Sequence, residues 1–494
     1  MRGQIRAFNQ RLDHWLGSFH AVFWSVVGIT SVRVFIEWAF FVFPVQLNGF
    51  QDYVRFYLEN IYYFLILFLV VSVFVAEITR QPLKPVMRFG VKLYPIIWLP
   101  PLIDRLFLGR TEGYYYARAE HFFSNLFTFS LGTPDASWGL SLEVILGVVA
   151  LFLYVFWKTR HLFKALITGV FLEVFLMVFT TPDLFWGRAG ADYVFDVFLP
   201  VNYFLPFMVL LAATLYYYNQ PKLLAICRNL RPMRSLIFVT AVGLGALATY
   251  QFGGRMYWFN VVLSGCAVFF VWQLAIVLND IYDMEIDQVA NRQRPLVTEA
   301  VTVREYFFLA SLLTFFALSF AVVVSRGVFL LMVVCVGLAF LYSVPPARLR
   351  NHIGGNLLIA LAIWLSFLMG AWAAGGPGFN FVYLFPVGFL MFLFSTVLTL
   401  TKDIKDIDGD RRAGVRNLFT MYGKADAKKI ITALIFFVLN IPLLVYFHLS
   451  IFVISLIAAL VYYRWESIIG VYVSGVTIIV ILFYQMEHIL RQFL

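Results

Sequence analysis

Apolar stretches of about twenty residues recur along the whole chain, each closed by a short polar one, and that is the length an α-helix needs to cross a bilayer. A first set falls at 20–45, 55–77, 89–107, 139–157, 162–180 and 197–217. A second falls at 235–251, 256–279, 305–325, 327–344, 355–374, 380–401, 428–446, 449–463 and 468–490. Inside a bilayer a segment must satisfy its own backbone hydrogen bonds, so each run is predicted as a helix. The runs do not alternate apolar with polar residues, which excludes a transmembrane barrel. The predicted fold is therefore all-α. It is a polytopic membrane protein with about six transmembrane helices in an N-terminal module, followed by a bundle of about nine.

The best boundary between the two sets is the polar stretch NQPKLLAICRNLRPMRS at 219–235, with two prolines and the bases Lys222, Arg228, Arg231 and Arg234. This divides the chain into an N-terminal module at 1–220, a basic linker at 221–234 and a C-terminal domain at 235–494. Basic loops stay on the cytoplasmic side, so the linker is predicted there. Counting crossings from 235 then puts loops 280–304, 345–354 and 402–428 on the same side. These are the loops richest in charge. The opposite turns, QFGGR at 251–255 and GGPG at 375–378, carry almost none.

Composition narrows the class further. The 494 residues are 62% hydrophobic and only 13% charged, too few charges to solvate a protein of this size. The net charge of +10 sits mostly in the short loops. It is read as positive-inside bias, with a lipid bilayer and no nucleic acid as partner. Cys227, Cys266 and Cys335 form no close pair, so neither a disulfide framework nor a zinc site is expected. The basic start MRGQIRAFNQRLDHW is not followed by a short apolar core and a small-residue cleavage site, so no cleaved signal peptide is expected.

Two helix ends carry the candidate chemistry. The second helix of the C-terminal domain runs out in LNDIYDMEIDQVANRQRPL, where Asp280, Asp283 and Asp287 are spaced i, i+3, i+7 and share one helix face. The sixth runs out in LTKDIKDIDGDRRAG, where Asp403, Asp406 and Asp410 repeat the spacing and Asp408 falls off that face. Like charges so close repel, and a divalent cation reverses the sign. Mg²⁺ takes carboxylate oxygens together with substrate phosphates, so the six aspartates are candidate metal ligands. Arg294, Arg348, Arg350 and Lys402 lie beside them and are candidate diphosphate contacts. The competing reading, solvated loop acids paired with neighbours such as Arg411 and Arg412, is weakened because two sets share one spacing and one place relative to the membrane.

These residues carry a resemblance. Asn279-Asp280-Ile281-Tyr282-Asp283-Met284-Glu285-Ile286-Asp287, with Arg294-Pro295-Leu296 downstream, resembles the first signature of the UbiA superfamily of intramembrane prenyltransferases. Lys402-Asp403-Ile404-Lys405-Asp406-Ile407-Asp408-Gly409-Asp410 resembles the second. Tyr342-Ser343-Val344-Pro345-Pro346, ending at Arg350, is similar to the element the family carries between them. The resemblance covers about 235–494 and says nothing of 1–220. It departs where the family often has a threonine, since this chain reads Gly414-Val415-Arg416-Asn417-Leu418. It implies a nine-helix bundle, Mg²⁺, a polyprenyl diphosphate donor and a lipid-soluble acceptor. The acceptor could be a quinone precursor, a lipid glycerol phosphate, a tetrapyrrole or a sugar phosphate, and the first motif is somewhat similar to the ether-lipid branch. Asn279 is then a candidate to position the diphosphate or a metal, and Tyr342 a candidate to face the allylic cation. Trp364 and Trp372 are weaker aromatic candidates.

Two rivals come from other classes: a cation transporter, and an inactive scaffold with the same fold. Conducting sites usually lie near the bilayer midplane, whereas both acidic sets sit at helix ends. Intact aspartates in both sets argue against decay. In the N-terminal module Arg33, Glu37, Glu59, Asp104, Glu143 and Glu173 fall in or near predicted spans. They are read either as local pairs or as the lining of a second cavity.

Overall fold

The computed structural model describes residues 13–39, 49–106, 117–181, 184, 199–352, 354–375, 381–401, 404, 407, 411, 414–444 and 448–493. Every described regular element is helical. Among the described residues ten helical segments are long and apolar enough to cross a bilayer, and four shorter helices are apolar as well. The chain forms two compact units, Met1–Leu223 and Leu224–Leu494.

Unit 1 begins with α1 (Phe19–Ala39), α2 (Phe50–Thr79), α3 (Leu83–Leu93) and α4 (Leu99–Leu106). A 3-10 turn, Tyr94–Trp98, joins α3 to α4, so the span predicted at 89–107 is broken rather than continuous. The cause is Pro95, Pro100 and Pro101, which lack the N–H an unbroken helix needs and are tolerated only in first turns. The short α5 (Phe122–Thr128), then α6 (Trp138–Thr159) and α7 (Leu162–Thr180) follow, and α8 (Leu205–Asn229), kinked at Asn219, carries the chain past the boundary, so that its last residues, from Leu224, belong to unit 2.

Most of the charges inside unit 1 have structural partners. The Arg33 guanidinium donates to Glu37 (2.8 Å), to Glu143 (2.9 Å) and to the Ile97 carbonyl (2.9 Å), and lies 4.8 Å from the centre of the Phe64 ring. One buried cation thus joins α1, α6 and the turn before α4. Asp104 caps α6: its carboxylate accepts from the Gly139 N–H (2.8 Å) and the Ser137 hydroxyl (2.5 Å), at the end where the helix dipole favours negative charge. Glu173 differs. It is buried, and neither carboxylate oxygen has a hydrogen-bond partner among the described residues.

Unit 2 contains α9 (Pro232–Gln251), α10 (Trp258–Tyr282), the short α11 (Met284–Ala290), α12 (Val303–Val324), α13 (Arg326–Ser343), α14 (Gly354–Gly375), α15 (Phe385–Leu400), α16 (Leu418–Asn440), α17 (Leu449–Trp465) and α18 (Ile468–Phe493). Leaving out α11, these are the nine apolar helices the sequence predicts for this half. The helix α10 is the most enclosed of the long apolar helices. Its end is therefore delivered into the interior of the unit. Two glycines set the crossing of α9 with α14: a Cβ on Gly245 would overlap the Phe367 carbonyl, and one on Gly370 would overlap the Val242 carbonyl. Small residues let membrane helices approach this closely, and Thr249 adds a hydrogen bond to the Ala371 carbonyl (3.2 Å). Asn417, at the departure from the family pattern, caps α16. Its side-chain oxygen accepts from the Thr420 N–H, and the Thr420 hydroxyl accepts from the Asn417 N–H, both at 2.9 Å.

Candidate functional site

The first aspartate set lies where α10 gives way to α11. The helix α10 ends at Tyr282, and Asp283 takes a non-helical conformation (φ −105°, ψ 11°) before α11 begins. The i, i+3, i+7 face predicted on one helix therefore turns at its middle residue. Hydrogen bonds continue across the turn, from Asp283 N–H to the Asn279 carbonyl (2.9 Å) and from Asp287 N–H to the Asp283 carbonyl (2.8 Å). Asp280, Asp283 and Asp287 are all buried.

Buried carboxylates need partners, and here the partners are arginines. Arg294 bridges the set, pairing with Asp280 and with Asp287 (2.6 Å). Arg348 donates to Asp283 (2.9 Å) and to the Tyr282 carbonyl (2.9 Å). Arg350 pairs with the other oxygen of Asp283 and donates to the Asn279 side-chain oxygen (2.6 Å). Asn291 donates to Asp287 (3.0 Å). Burial pushes the Asp287 carboxyl above its ordinary pKa, and the Arg294 charge opposes the shift.

The turn carrying Arg348 and Arg350 is held in a conformation side chains rarely adopt, with Arg348 at φ 34°, ψ 53°. A bulky residue there costs on the order of 1 kcal/mol or more. Its backbone bends so that two arginines two residues apart reach one carboxylate. Tyr342 is half-buried on the last turn of α13, on the segment leading into this turn.

The predicted Lys402, Asp403, Asp406 and Asp410 lie outside the described residues. The chain on either side of them does not. Thr399, at the end of α15, donates to the Asn356 carbonyl (3.1 Å), and the Arg416 N–H donates to the Asn351 carbonyl (3.0 Å). Both flanks of the second motif are thus anchored next to the Arg348–Arg350 turn. The loop bearing Asp283, the Arg348–Arg350 turn and the described flanks of the second motif therefore lie at one end of unit 2.

Sequence reasoning missed three contributors. Asn229 donates to Asp280 (2.7 Å) and to the Tyr306 hydroxyl (3.2 Å), and Arg231 reaches Asp280 (3.2 Å). Asn229 and Arg231 fall in the stretch read as a linker. Nothing in the local pattern marks Asn229 or Tyr306, and Arg231 reads as one more topological base.

Hard oxygen donors such as these carboxylates and the Asn279 amide suit Mg²⁺. Asp287 Oδ2 is buried without a hydrogen bond, although it lies beside Arg294. Among the described residues no three acidic, histidine or cysteine side chains converge tightly enough to hold a metal by themselves.

The sequence model of the UbiA prenyltransferase family matches residues 236–486. A digeranylgeranylglyceryl phosphate synthase of Methanosphaera stadtmanae is 29% identical over 224 residues, which is 44% of this chain and 77% of that protein. A chloroplastic 2-acyl-4-prenylphloroglucinol 6-prenyltransferase of Humulus lupulus is 29% identical over 154 residues, which is 30% of this chain and 38% of that protein. Among solved structures, a UbiA homologue from Archaeoglobus fulgidus bound to DMAPP and Mg²⁺ is 21% identical, with a TM-score of 0.41, over 52% of this chain and 96% of that one. The apo form of a UbiA homologue from Aeropyrum pernix K1 is 18% identical, with a TM-score of 0.42, over 53% and 99%.

Proposed function

The chain belongs to the UbiA prenyltransferase family, which makes it a transferase, and from that premise we propose that unit 2 moves a prenyl group from a polyprenyl diphosphate to a lipid-soluble acceptor within the membrane. The observation that carries the proposal is the buried Asp280–Asp283–Asp287 set, ringed by Arg294, Arg348 and Arg350 at the end of the most enclosed helix.

The reaction breaks the bond between the allylic carbon and the diphosphate oxygen, whose electron pair leaves with the diphosphate. A nucleophilic atom of the acceptor then bonds to that carbon, and its proton passes to water or diphosphate. Arg294, Arg348 and Arg350 are the side chains to orient the diphosphate oxygens, since guanidinium forks match them. Asp280, Asp283 and Asp287 hold those forks in place. Asn279 orients Arg350 through its side-chain oxygen. Mg²⁺ held by Asp280, Asp283 and Asp287 with Asp403, Asp406 and Asp410 would supply further positive charge to the leaving group. The apolar helices around α10 would keep water from the allylic carbon, and Tyr342 would offer it an aromatic face.

The protein is a multi-pass membrane protein. The end bearing the three charged loops is proposed to face the cytoplasm in the cell membrane, because basic loops stay there and a diphosphate must arrive from water. A cysteine at exposed Gln288, with Cys227 replaced by serine, should react with a membrane-impermeant thiol reagent only from the cytoplasmic side. Reaction only from outside would reverse the orientation. The activity is tested with purified protein, a panel of prenyl diphosphates and membrane lipid extracts. Diphosphate release that needs Mg²⁺ and stops in excess chelator is expected. Release unaffected by chelator, or no release with any donor, would defeat the proposal.

A further inference from the structure

We propose that Asn229 is a positioning residue for the aspartate site, acting through Asp280; this rests on the reading of that site given above. Asn229 lies upstream of residue 236, where the family match begins. Its role follows from what Asp280 requires. Asp280 is 2% exposed, and a carboxylate so buried is costly unless both oxygens are met by donors. Oδ1 faces Arg231 at 3.2 Å and also pairs with Arg294. Oδ2 accepts from the Asn229 amide nitrogen at 2.7 Å.

The same nitrogen lies 3.2 Å from the hydroxyl of Tyr306, which is 1% exposed in the first turn of α12. A primary amide nitrogen carries two hydrogens, so it can serve both acceptors at once. Asn229 therefore ties the end of α8, the last turn of α10 and the start of α12. It does so without adding charge, which leaves the Asp280 charge to be balanced by the arginines alone.

The consequence reaches the neighbouring residues. Asp280 follows Asn279 directly and shares the helix end with Asp283. Fixing its side chain fixes the rotation of the turn that presents both. Arg294 is shared between Asp280 and Asp287, so a displaced Asp280 also shifts the partner of Asp287. Loss of Asn229 should appear first as weaker metal binding.

The test uses the full chain in detergent. Mn²⁺ binding is followed by paramagnetic resonance in the presence of inorganic pyrophosphate, and thermal unfolding is measured alongside. Asn229→Ala should weaken Mn²⁺ binding about tenfold, the weight of one hydrogen bond to a charged group. Asn229→Leu keeps the bulk of the side chain but offers Asp280 no donor, so it should weaken binding to a similar extent. It carries the test where the alanine variant does not fold. Mn²⁺ binding within twofold of wild type in the Asn229 variants, with binding lost in Asp280→Asn, would overturn the proposal. A lower unfolding temperature with unchanged Mn²⁺ binding would give Asn229 a structural role only and overturn it too. Binding retained by Asp280→Asn as well would defeat the reading of the site itself.

Discussion

Arg294 touches two carboxylates, and Asp283 is met by two arginines, so the acidic site is a tightly interlocked set of opposite charges. Buried pairs of this kind add little net stability, but removing one partner leaves an uncompensated charge. The arrangement is suited to exchanging partners: an arginine released from a carboxylate is free to take a diphosphate oxygen. Asp283→Asn keeps the side-chain shape and removes one charge facing Arg348 and Arg350. Diphosphate release by this variant should fall by about a hundredfold or more while the chain stays folded. Wild-type turnover at saturating donor and Mg²⁺ would remove Asp283 from the site. The clustering of Asp280, Asp283 and Asp287 was legible because their spacing is a helical period, and that of Arg294 and Arg350 with them because these lie beside the motifs. Asn229 was not, because an asparagine near a basic stretch has no period to betray it. Nor was the backbone of Arg348, since nothing in PPARLRN demands a positive φ at an arginine.

Elements were legible in proportion to how apolar they are. The helices of α9 to α15 follow their hydrophobic runs closely, because membrane helices are selected by length and apolarity alone. Within unit 2 α16 departs most, predicted at 428–446 but starting at Leu418, ten residues earlier. Its first turns, LFTMYGKADAKK, are too polar to read as a span. The Asn417 cap and a kink at Gly423 (φ 78°) let them form helix all the same. At the α9–α14 crossing, Gly245→Leu or Gly370→Leu must push two backbones apart. Overpacking of this kind costs about 1–3 kcal/mol. Both variants should unfold at lower temperature than wild type. Gly243→Ala, with nothing within 4 Å of the added carbon, should not. Equal stability of all three would mean the crossing does not depend on close approach. Between α17 and α18, Glu466 accepts from Lys428 (3.0 Å), and that bond, aided by Lys424, holds its carboxyl below the ordinary pKa. A depressed carboxyl adds stability above its unfolded pKa and loses it as pH falls through the folded value. Wild type should therefore unfold at a slightly higher temperature than Glu466→Gln at neutral pH. The gap should close on acidification below the usual carboxylate range. The pair is partly exposed, so the gap should correspond to less than about 1 kcal/mol.

At the scale of the whole chain, the legible quantity was parity. Two helices separate loop 280–304 from 345–354, and two more separate that loop from 402–428, so all three emerge at one end. The contacts Arg348–Asp283 and Arg416–Asn351, each between two of these loops, agree with that count. What parity could not reveal is where the catalytic unit begins. The basic, proline-containing stretch at 219–235 suggested a linker, because charge and proline usually mark a solvent-exposed join. Instead α8 runs to Asn229, and Asn229 and Arg231 reach Asp280. The compact unit starts at Leu224, five residues before Asn229. Two truncated proteins separate these possibilities. One beginning at Leu224 keeps all three Asp280 partners and all nine apolar helices of unit 2, so it should insert into membranes and retain Mg²⁺-dependent diphosphate release. One beginning at Ser235 keeps the same nine helices but loses Asn229 and Arg231. It should insert as well and show much weaker release, because of Asn229, Arg231 and Arg294 only Arg294 then remains to Asp280. Equal activity of the two would mean the segment before Ser235 is a linker after all. Failure of both to fold, with the full chain stable, would mean that the two units form a single folding unit.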